Sequence, residues 1–302
     1  MPLDPEVAAA LREAGVTLRE DEPLAKKTWW RVGGPADAWI EADRAALAAT
    51  LRVASAHGVP LFVLGNASNV LLADAGVRGI VLRLVGDLAT ATRGGDVLTV
   101  GGGVKLVTLL KLAERERWPG VELFAGIPGT VGGAVTMNAG TKLGDVSDRL
   151  IEVQILSGDG TPATLPTSTL RFGYRHAELP PGSVITAARL QLSGTWEDTE
   201  RHIAEHLAWR AKTQPTDVPT CGSTFRNPPG DAAGRLIDTC GLKGFTVGRA
   251  QVSEKHANFV VNLGGATARD LRTLIATVRT RVGDQTGVWL EPEVVFAGAW
   301  GV

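Results

Sequence analysis

Apolar and polar positions along the first two-thirds of the chain switch repeatedly between helical and strand spacing. Asp43 to His57 predicts a helix, with Asp43 as N-cap and Gly58 as its C-terminal stop. Pro60–Gly65 and Ile80–Leu84 read as short buried strands flanking a polar turn. Val104–Trp118 predicts a second helix, whose charges from Glu114 to Arg117 fall in its last turn. Strands are expected near Ile151–Leu156 and Val184–Leu192, the first leaving through Ser157-Gly-Asp-Gly160. Glu197–Lys212 then predicts a connecting helix, and Gln214–Pro219 a linker. Beyond it come a helix near Ala232–Thr239, a strand at Ala257–Asn262 and a helix from Arg269 to Val282. Thr267 is the expected N-cap of that last helix, with Asp270 in the position of a capping box. A final strand is expected over Val288–Phe296. The mixed order, with few long βαβ units, points to an α+β protein rather than a doubly wound sheet. The expected division is a region 1–212, with subdomains about 1–72 and 73–212, followed by a domain 213–302.

Composition narrows the class. The 302 residues are 44% hydrophobic and 21% charged, which fits a folded chain of two or three domains and not a disordered one. Thirty-one basic residues against 32 acidic ones leave a net charge of −1, so no electrostatic footprint for nucleic acid is present. Two cysteines, Cys221 and Cys240, fit a reducing compartment rather than a disulfide scaffold. The first fifteen residues lack the basic start and apolar stretch of a signal peptide, and no apolar run is long enough to span a bilayer. The expectation is a cytoplasmic, monomeric protein with neither nucleic acid nor membrane as partner.

Common catalytic signatures are absent. The chain has no GxGxxG after a strand, no GxxxxGK[ST] and no GxSxG elbow. His202-Ile-Ala-Glu-His206 does match HxxEH, a spacing that puts two imidazoles on one helical face as zinc ligands. No third ligand is identifiable, so the expectation is no metal. The segment instead reads as an amphipathic connector whose Ile203 and Leu207 face the core while the histidines are partly solvated.

Two segments are unusually rich in glycine and small polar residues: Leu64-Gly-Asn-Ala-Ser-Asn-Val-Leu-Leu72 and Gly126-Ile-Pro-Gly-Thr-Val-Gly-Gly-Ala134, the latter continuing to Met137-Asn-Ala-Gly140. Few side chains in tight turns let backbone N–H groups approach a pyrophosphate closely. In detail, the second segment closely resembles the flavin-binding signature of the UDP-N-acetylenolpyruvoylglucosamine reductase family. The resemblance covers nearly the whole chain, with Thr28–Asp37 similar to the family's opening motif and Leu64–Asn69 to its first flavin loop. One departure is Ala67, where the family usually has glycine; a positive φ there would strain the alanine.

The resemblance implies an FAD-binding fold of the p-cresol methylhydroxylase/vanillyl-alcohol oxidase type in two subdomains, plus a C-terminal α+β substrate domain. It implies FAD held non-covalently, reduced by NADPH, with UDP-N-acetylglucosamine-enolpyruvate as substrate. The cofactor contacts it assigns are Gly65, Asn66, Ala67, Ser68 and Asn69 in the first loop. In the second they are Gly126, Ile127, Pro128, Gly129, Thr130, Gly132, Gly133 and Ala134, followed by Asn138 and Gly140. Phe172-Gly-Tyr-Arg175, Cys221-Gly-Ser-Thr-Phe-Arg-Asn-Pro228 and Leu290-Glu-Pro-Glu-Val294 match three further family motifs, with Arg226 where lysine is more usual.

Hydride addition to the terminal carbon of an enolpyruvyl ether leaves negative charge shared with the adjacent carboxylate. An arginine and a carboxylic acid can stabilise that charge, and a serine hydroxyl can protonate so basic a carbon. By resemblance, Arg175 and Glu293 polarise the carboxylate and Ser223 donates the proton. On a strand of period two, Glu291 and Glu293 share a face, so spacing leaves both open; the family pattern favours Glu293. Tyr174, Asn227, Lys243 and His256 are the expected substrate contacts. The chain resembles the shorter subtype, which lacks an extra substrate-capping insertion. Another FAD oxidoreductase of the same fold, or a non-catalytic flavin or UDP-sugar binding protein, remains the alternative reading.

Overall fold

A computed structural model of the chain describes residues 3–301. The fold is α+β and divides into two compact units that interleave along the sequence. The first comprises the chain up to Asp21, Asp37–Asn66 and Gly79–Ala208; the second comprises Glu22–Ala36, Ala67–Arg78 and Trp209 to the C-terminus. The chain therefore passes from the first unit to the second for the last time a few residues before the expected linker, and the second unit also takes in two earlier segments.

In the first unit, strands Leu18–Pro23, Pro35–Ala42, Val77–Leu84 and Leu61–Val63 lie in that order in one sheet. Leu61–Val63 follows the helix Arg44–His57 and runs parallel to Val77–Leu84, with residues 64–76 as the crossover between the two strands. That helix starts and stops as the sequence predicts: the Asp43 carboxylate accepts the Ala46 N–H at 2.9 Å, and Gly58 is left-handed at φ 62°. A helix the sequence reading did not single out, Pro5–Glu13, is capped by Asp4 and started by proline, and packs Leu11 into the same core as Ile40, Leu47 and Ile80.

The second sheet of this unit is wholly antiparallel, in the order Pro162–Pro166, Leu150–Leu156, Val184–Gln191, Val97–Gly101, Ala91–Gly94. The Ser157–Gly160 turn forms as expected, with Asp159 accepting from the Thr161 N–H at 2.9 Å. Pro162–Pro166 was not read as a strand because proline begins and ends it, a composition that only an edge position tolerates. Helix Leu106–Glu116 covers this sheet, and Leu98, Val100, Leu109, Phe124, Val135, Val153 and Ala188 make its core.

The second unit is built on an antiparallel sheet in the order Thr220–Ser223, Phe259–Asn262, Ala250–Val252, Thr246–Val247. Helices Ala233–Thr239 and Ala268–Thr286 pack their Leu236, Ile237, Leu271, Leu274 and Val278 on it. Trp30, from the Thr28–Asp37 motif, is fully buried here; its indole N–H donates to the Val260 carbonyl at 2.8 Å, and its own carbonyl accepts from Asn262. The motif thus pins an early segment to a late sheet.

The expected strand over Val288–Phe296 is corrected. Only Val295–Ala297 is a strand, parallel to Val70–Leu72, while Pro292 forms a single bridge with Phe225. A proline at 292 withholds the N–H that a continuous ladder needs. The period-two argument about Glu291 and Glu293 loses its basis with it, and the two separate: Glu291 is exposed and Glu293 half-buried.

Helix Ala268–Thr286 carries the expected capping box, with the Thr267 hydroxyl accepting from Asp270 N and the Asp270 carboxylate from Thr267 N, both at 3.0 Å. Asp74, nearly two hundred residues earlier, adds a second anionic cap by accepting from Ala268 N at 2.9 Å and Arg269 N at 3.0 Å. Replacing Asp74 by alanine is expected to cost about 1–2 kcal/mol, read as an earlier unfolding transition of the C-terminal unit in urea.

Candidate active site

In the first unit the two glycine-rich segments meet. A methyl group on Gly65 would stand 2.6 Å from the Thr130 hydroxyl oxygen, so only glycine allows this approach. The Asn66 amide donates to the Pro128 carbonyl. Thr130 caps the short helix Val131–Thr136 and accepts from Gly133 N, while Val131 N and Gly132 N donate to the carbonyls of Val104 and Gly102. The Gly101–Gly103 triplet, which supplies one of these supports, escaped the sequence reading although three consecutive glycines mark it. The result is a cradle of tight turns with small side chains, which fits a dinucleotide pyrophosphate.

Asn138 extends this loop to the Tyr174-Arg175 pair. Its side chain is buried, its amide donates to the Gly173 carbonyl at 3.1 Å, and its carbonyl accepts from Ser147 N. Tyr174 and Arg175 form the two-residue tip of a hairpin made by Arg171–Gly173 and His176–Glu178. Arg175 is left-handed at φ 56°, and its guanidinium lies 4.9 Å from the centre of the Tyr174 ring.

In the second unit, Ala67 is left-handed at φ 49°, the conformation in which its departure from glycine matters. Its surroundings hold it there: it is buried, and its carbonyl accepts from Trp29 N and faces the Cys221 sulfur at 3.8 Å. Two residues on, the Asn69 amide donates to the Glu293 carbonyl at 3.0 Å, and Val295 N donates back to the Asn69 carbonyl. Glu293 N in turn donates to the Thr224 carbonyl at 2.9 Å.

Thr224 follows Ser223, which ends strand Thr220–Ser223. The pairing with Phe259–Asn262 shifts register between Thr220 and Ser223, where Gly222 takes φ 78°. This is a bulge with glycine in the left-handed region, a device that re-aims the residue after it. Buried Asn258 fixes the following backbone through Phe225 N and Phe225 O at 2.9 and 2.8 Å. Asn258 was not among the expected site residues; its place in the Val252–Phe259 motif was the available signal. The unit therefore brings Asn69, Ser223 and Glu293 into one hydrogen-bonded frame.

Among the expected substrate contacts of this unit, the Asn227 carbonyl oxygen accepts from Ala233 N at the start of helix Ala233–Thr239. His256 packs edge-on against Phe259 and lies close over Gly234. Burial first, and then the positive Lys243, hold His256 below the usual imidazole range. Lys243 itself pairs with Asp238 at 2.8 Å on a half-exposed surface.

One expectation about the connecting helix is corrected. On helix Trp196–Thr213 His206 is buried and Leu207 exposed, which corrects the amphipathic reading at those two positions, while His202 and Ile203 are both half-buried. Among the described residues no cluster of three or more His, Cys, Asp or Glu is placed to hold a metal. At Cys221, burial pushes the thiol up to about 12.

Comparison with known proteins completes the assignment. Residues 40–165 match the FAD binding domain family, and residues 214–297 match the C-terminal domain of UDP-N-acetylenolpyruvoylglucosamine reductase. A reductase of that name from Anaeromyxobacter sp. (strain Fw109-5) is 49% identical over 289 residues, 95% of this chain and 90% of that protein. Another, from Symbiobacterium thermophilum, is 44% identical over 300 residues, 98% of this chain and 97% of its own. The crystal structure of UDP-N-acetylenolpyruvylglucosamine reductase from Thermus caldophilus superposes with a TM-score of 0.80 at 40% identity, covering 93% of this chain and 98% of that one. The fold and the glycine cradle define a flavoprotein oxidoreductase with the FAD-binding fold of the p-cresol methylhydroxylase/vanillyl-alcohol oxidase type. Within that class, the chain belongs to the UDP-N-acetylenolpyruvoylglucosamine reductase family.

Thiol chemistry checks the packing behind Ser223. In the native protein at pH 8 a disulfide reagent is expected to label half-buried Cys240 and to spare Cys221. Both thiols should react in denaturant.

Proposed function

We propose that this chain reduces the enolpyruvyl double bond of UDP-N-acetylglucosamine-enolpyruvate to give UDP-N-acetylmuramate, with NADPH as electron donor, in peptidoglycan precursor synthesis. The observation that carries this reading is the bulge at Gly222-Ser223 locked to Glu293 and Asn69, because it joins a proton-bearing hydroxyl, a carboxyl residue and a flavin-loop residue in one frame. FAD, when bound, supplies the hydride for the terminal carbon of the enolpyruvyl group.

The residues that would hold FAD are Gly65, Asn66, Ala67, Ser68 and Asn69 of the first loop, Gly126, Ile127, Pro128, Gly129, Thr130, Gly132, Gly133 and Ala134 of the second, and Asn138 and Gly140. The cradle's glycines leave room for the pyrophosphate, and Thr130 fixes the turn at the start of helix Val131–Thr136. Arg175 takes the substrate carboxylate through its planar fork, and Glu293 shares in stabilising the charge that hydride addition places on that group. Ser223 delivers a proton from its hydroxyl oxygen to the carbon bearing the ether, completing the saturated lactyl group. Tyr174, Asn227, Lys243 and His256 bind the rest of the substrate, the lysine serving the diphosphate as a point charge. No helix among the described residues is long and apolar enough to cross a membrane. The reading takes the chain to work in the cytoplasm on a water-soluble nucleotide substrate, and as a monomer.

Substitution Ser223→Ala tests the assignment. Flavin content and reduction by NADPH should stay near normal, while product formation falls by about 10²–10⁴. Unchanged turnover would remove Ser223 from the chemistry.

A further inference from the structure

Arg175 is aimed by more than its hairpin. One terminal nitrogen, Nη2, donates to the Gly140 carbonyl at 2.7 Å, and the other, Nη1, lies 3.4 Å from Oδ1 of Asp145. The Arg175 side chain is mostly buried and that of Asp145 less so. Asp145 is itself tied down as the cap of a short 3₁₀ turn over Val146–Asp148, where its side chain accepts from Asp148 N and its own N–H donates to the Asp148 carboxylate at 2.9 Å. Its carboxylate occupies the space a side chain on Gly140 would need. Gly140 therefore serves the arginine twice, through its carbonyl and through the room it leaves for the acid.

The clamp also meets a cost in the backbone. A left-handed arginine at φ 56° is unfavourable for a residue with a Cβ. The two restraints on its guanidinium, with the Asn138 bond to Gly173, hold the hairpin tip in that conformation. An arginine so fixed presents its remaining donors in one direction, which a freely rotating side chain on a two-residue loop would not do.

We infer that Asp145 is a positioning residue of the reaction, holding Arg175 in the orientation that receives the substrate carboxylate. This rests on the proposed role of Arg175. Asp145 touches neither substrate nor flavin in this account; it acts through the guanidinium and through the strained hairpin tip.

The test uses the FAD-loaded enzyme and separates the two half-reactions by stopped flow. For Asp145→Asn, reoxidation of the flavin by saturating UDP-N-acetylglucosamine-enolpyruvate should slow about tenfold, with flavin affinity and melting temperature close to the parent. Calorimetric affinity for UDP-N-acetylmuramate, which retains the carboxylate, should weaken in parallel. Asp145→Glu, which keeps the charge, should recover most of both. In an Arg175→Lys background the Asp145→Asn change should add little, because the two act as one unit.

Equal reoxidation rates for Asp145→Asn and the parent, or full additivity with Arg175→Lys, would overturn the positioning role. If Asp145→Asn fails to fold, Asp145→Ser, which keeps a capping oxygen but removes the charge, and its cycle with Arg175→Lys carry the same decision: additive losses reject the coupling, and non-additive losses support it. An Arg175→Lys enzyme that reoxidises at the parental rate would instead reject the role of Arg175 itself, whatever Asp145 does.

Discussion

Asn69, Thr224 and Glu293 lie in three segments that the sequence holds far apart, and hydrogen bonds of 2.9–3.0 Å tie them together. The Asn69 side chain and backbone both engage the Glu293–Val295 segment, and Glu293 reaches Thr224 through its N–H. The Ser223 and Glu293 segments of the second unit both hang on this frame. Ser223 precedes Thr224 by one residue, so a shift of the Glu293 segment moves the hydroxyl as well. Asn258 and the parallel pairing of Val295–Ala297 with Val70–Leu72 stiffen it from both sides. Such a frame suits a reaction whose proton transfer needs a weak acid to be held at hydrogen-bond distance.

The first unit uses a different economy. Its cradle is backbone presented by glycines, and its charged group is an arginine on a strained two-residue hairpin. Strain of this kind persists only where the surroundings over-determine it. At Ala67 that office falls to a buried pocket, the Trp29 N–H and the neighbouring Cys221 sulfur; at Arg175 it falls to carbonyl and carboxylate partners. The surroundings of Ala67 thus hold an alanine in a conformation that glycine adopts without strain.

Much of this was legible in the chain itself, for identifiable reasons. Capping chemistry is local, so Asp43, Gly58, Thr267 and Asp270 announced their helices directly. Membership of the family was legible in the glycine loops and in the Ser223 and Glu293 segments, because residue order there matches the family's motifs. What escaped depends on contacts distant in sequence. Asp74 capping a helix at Ala268, Trp30 anchoring a sheet at Val260 and Asp145 bonding Arg175 have no local signature. The strand over Val288–Phe296 was misread because apolar alternation continues through Pro292, while the ladder does not. Leu207 was misassigned because a connector helix with charges on most faces has no single apolar stripe, and the buried position went to His206.

The central claim is that one flavin passes electrons from NADPH to an enolpyruvyl sugar nucleotide. It is tested most directly by the visible spectrum of the purified FAD-loaded protein under anaerobic conditions, first with NADPH and then with UDP-N-acetylglucosamine-enolpyruvate. The account expects the oxidised flavin bands to bleach with NADPH and to return on adding the enolpyruvyl substrate, with UDP-N-acetylmuramate formed in equal amount. A flavin that bleaches and stays reduced in the presence of that substrate would contradict it, and would assign the chain to an oxidoreductase with a different electron acceptor.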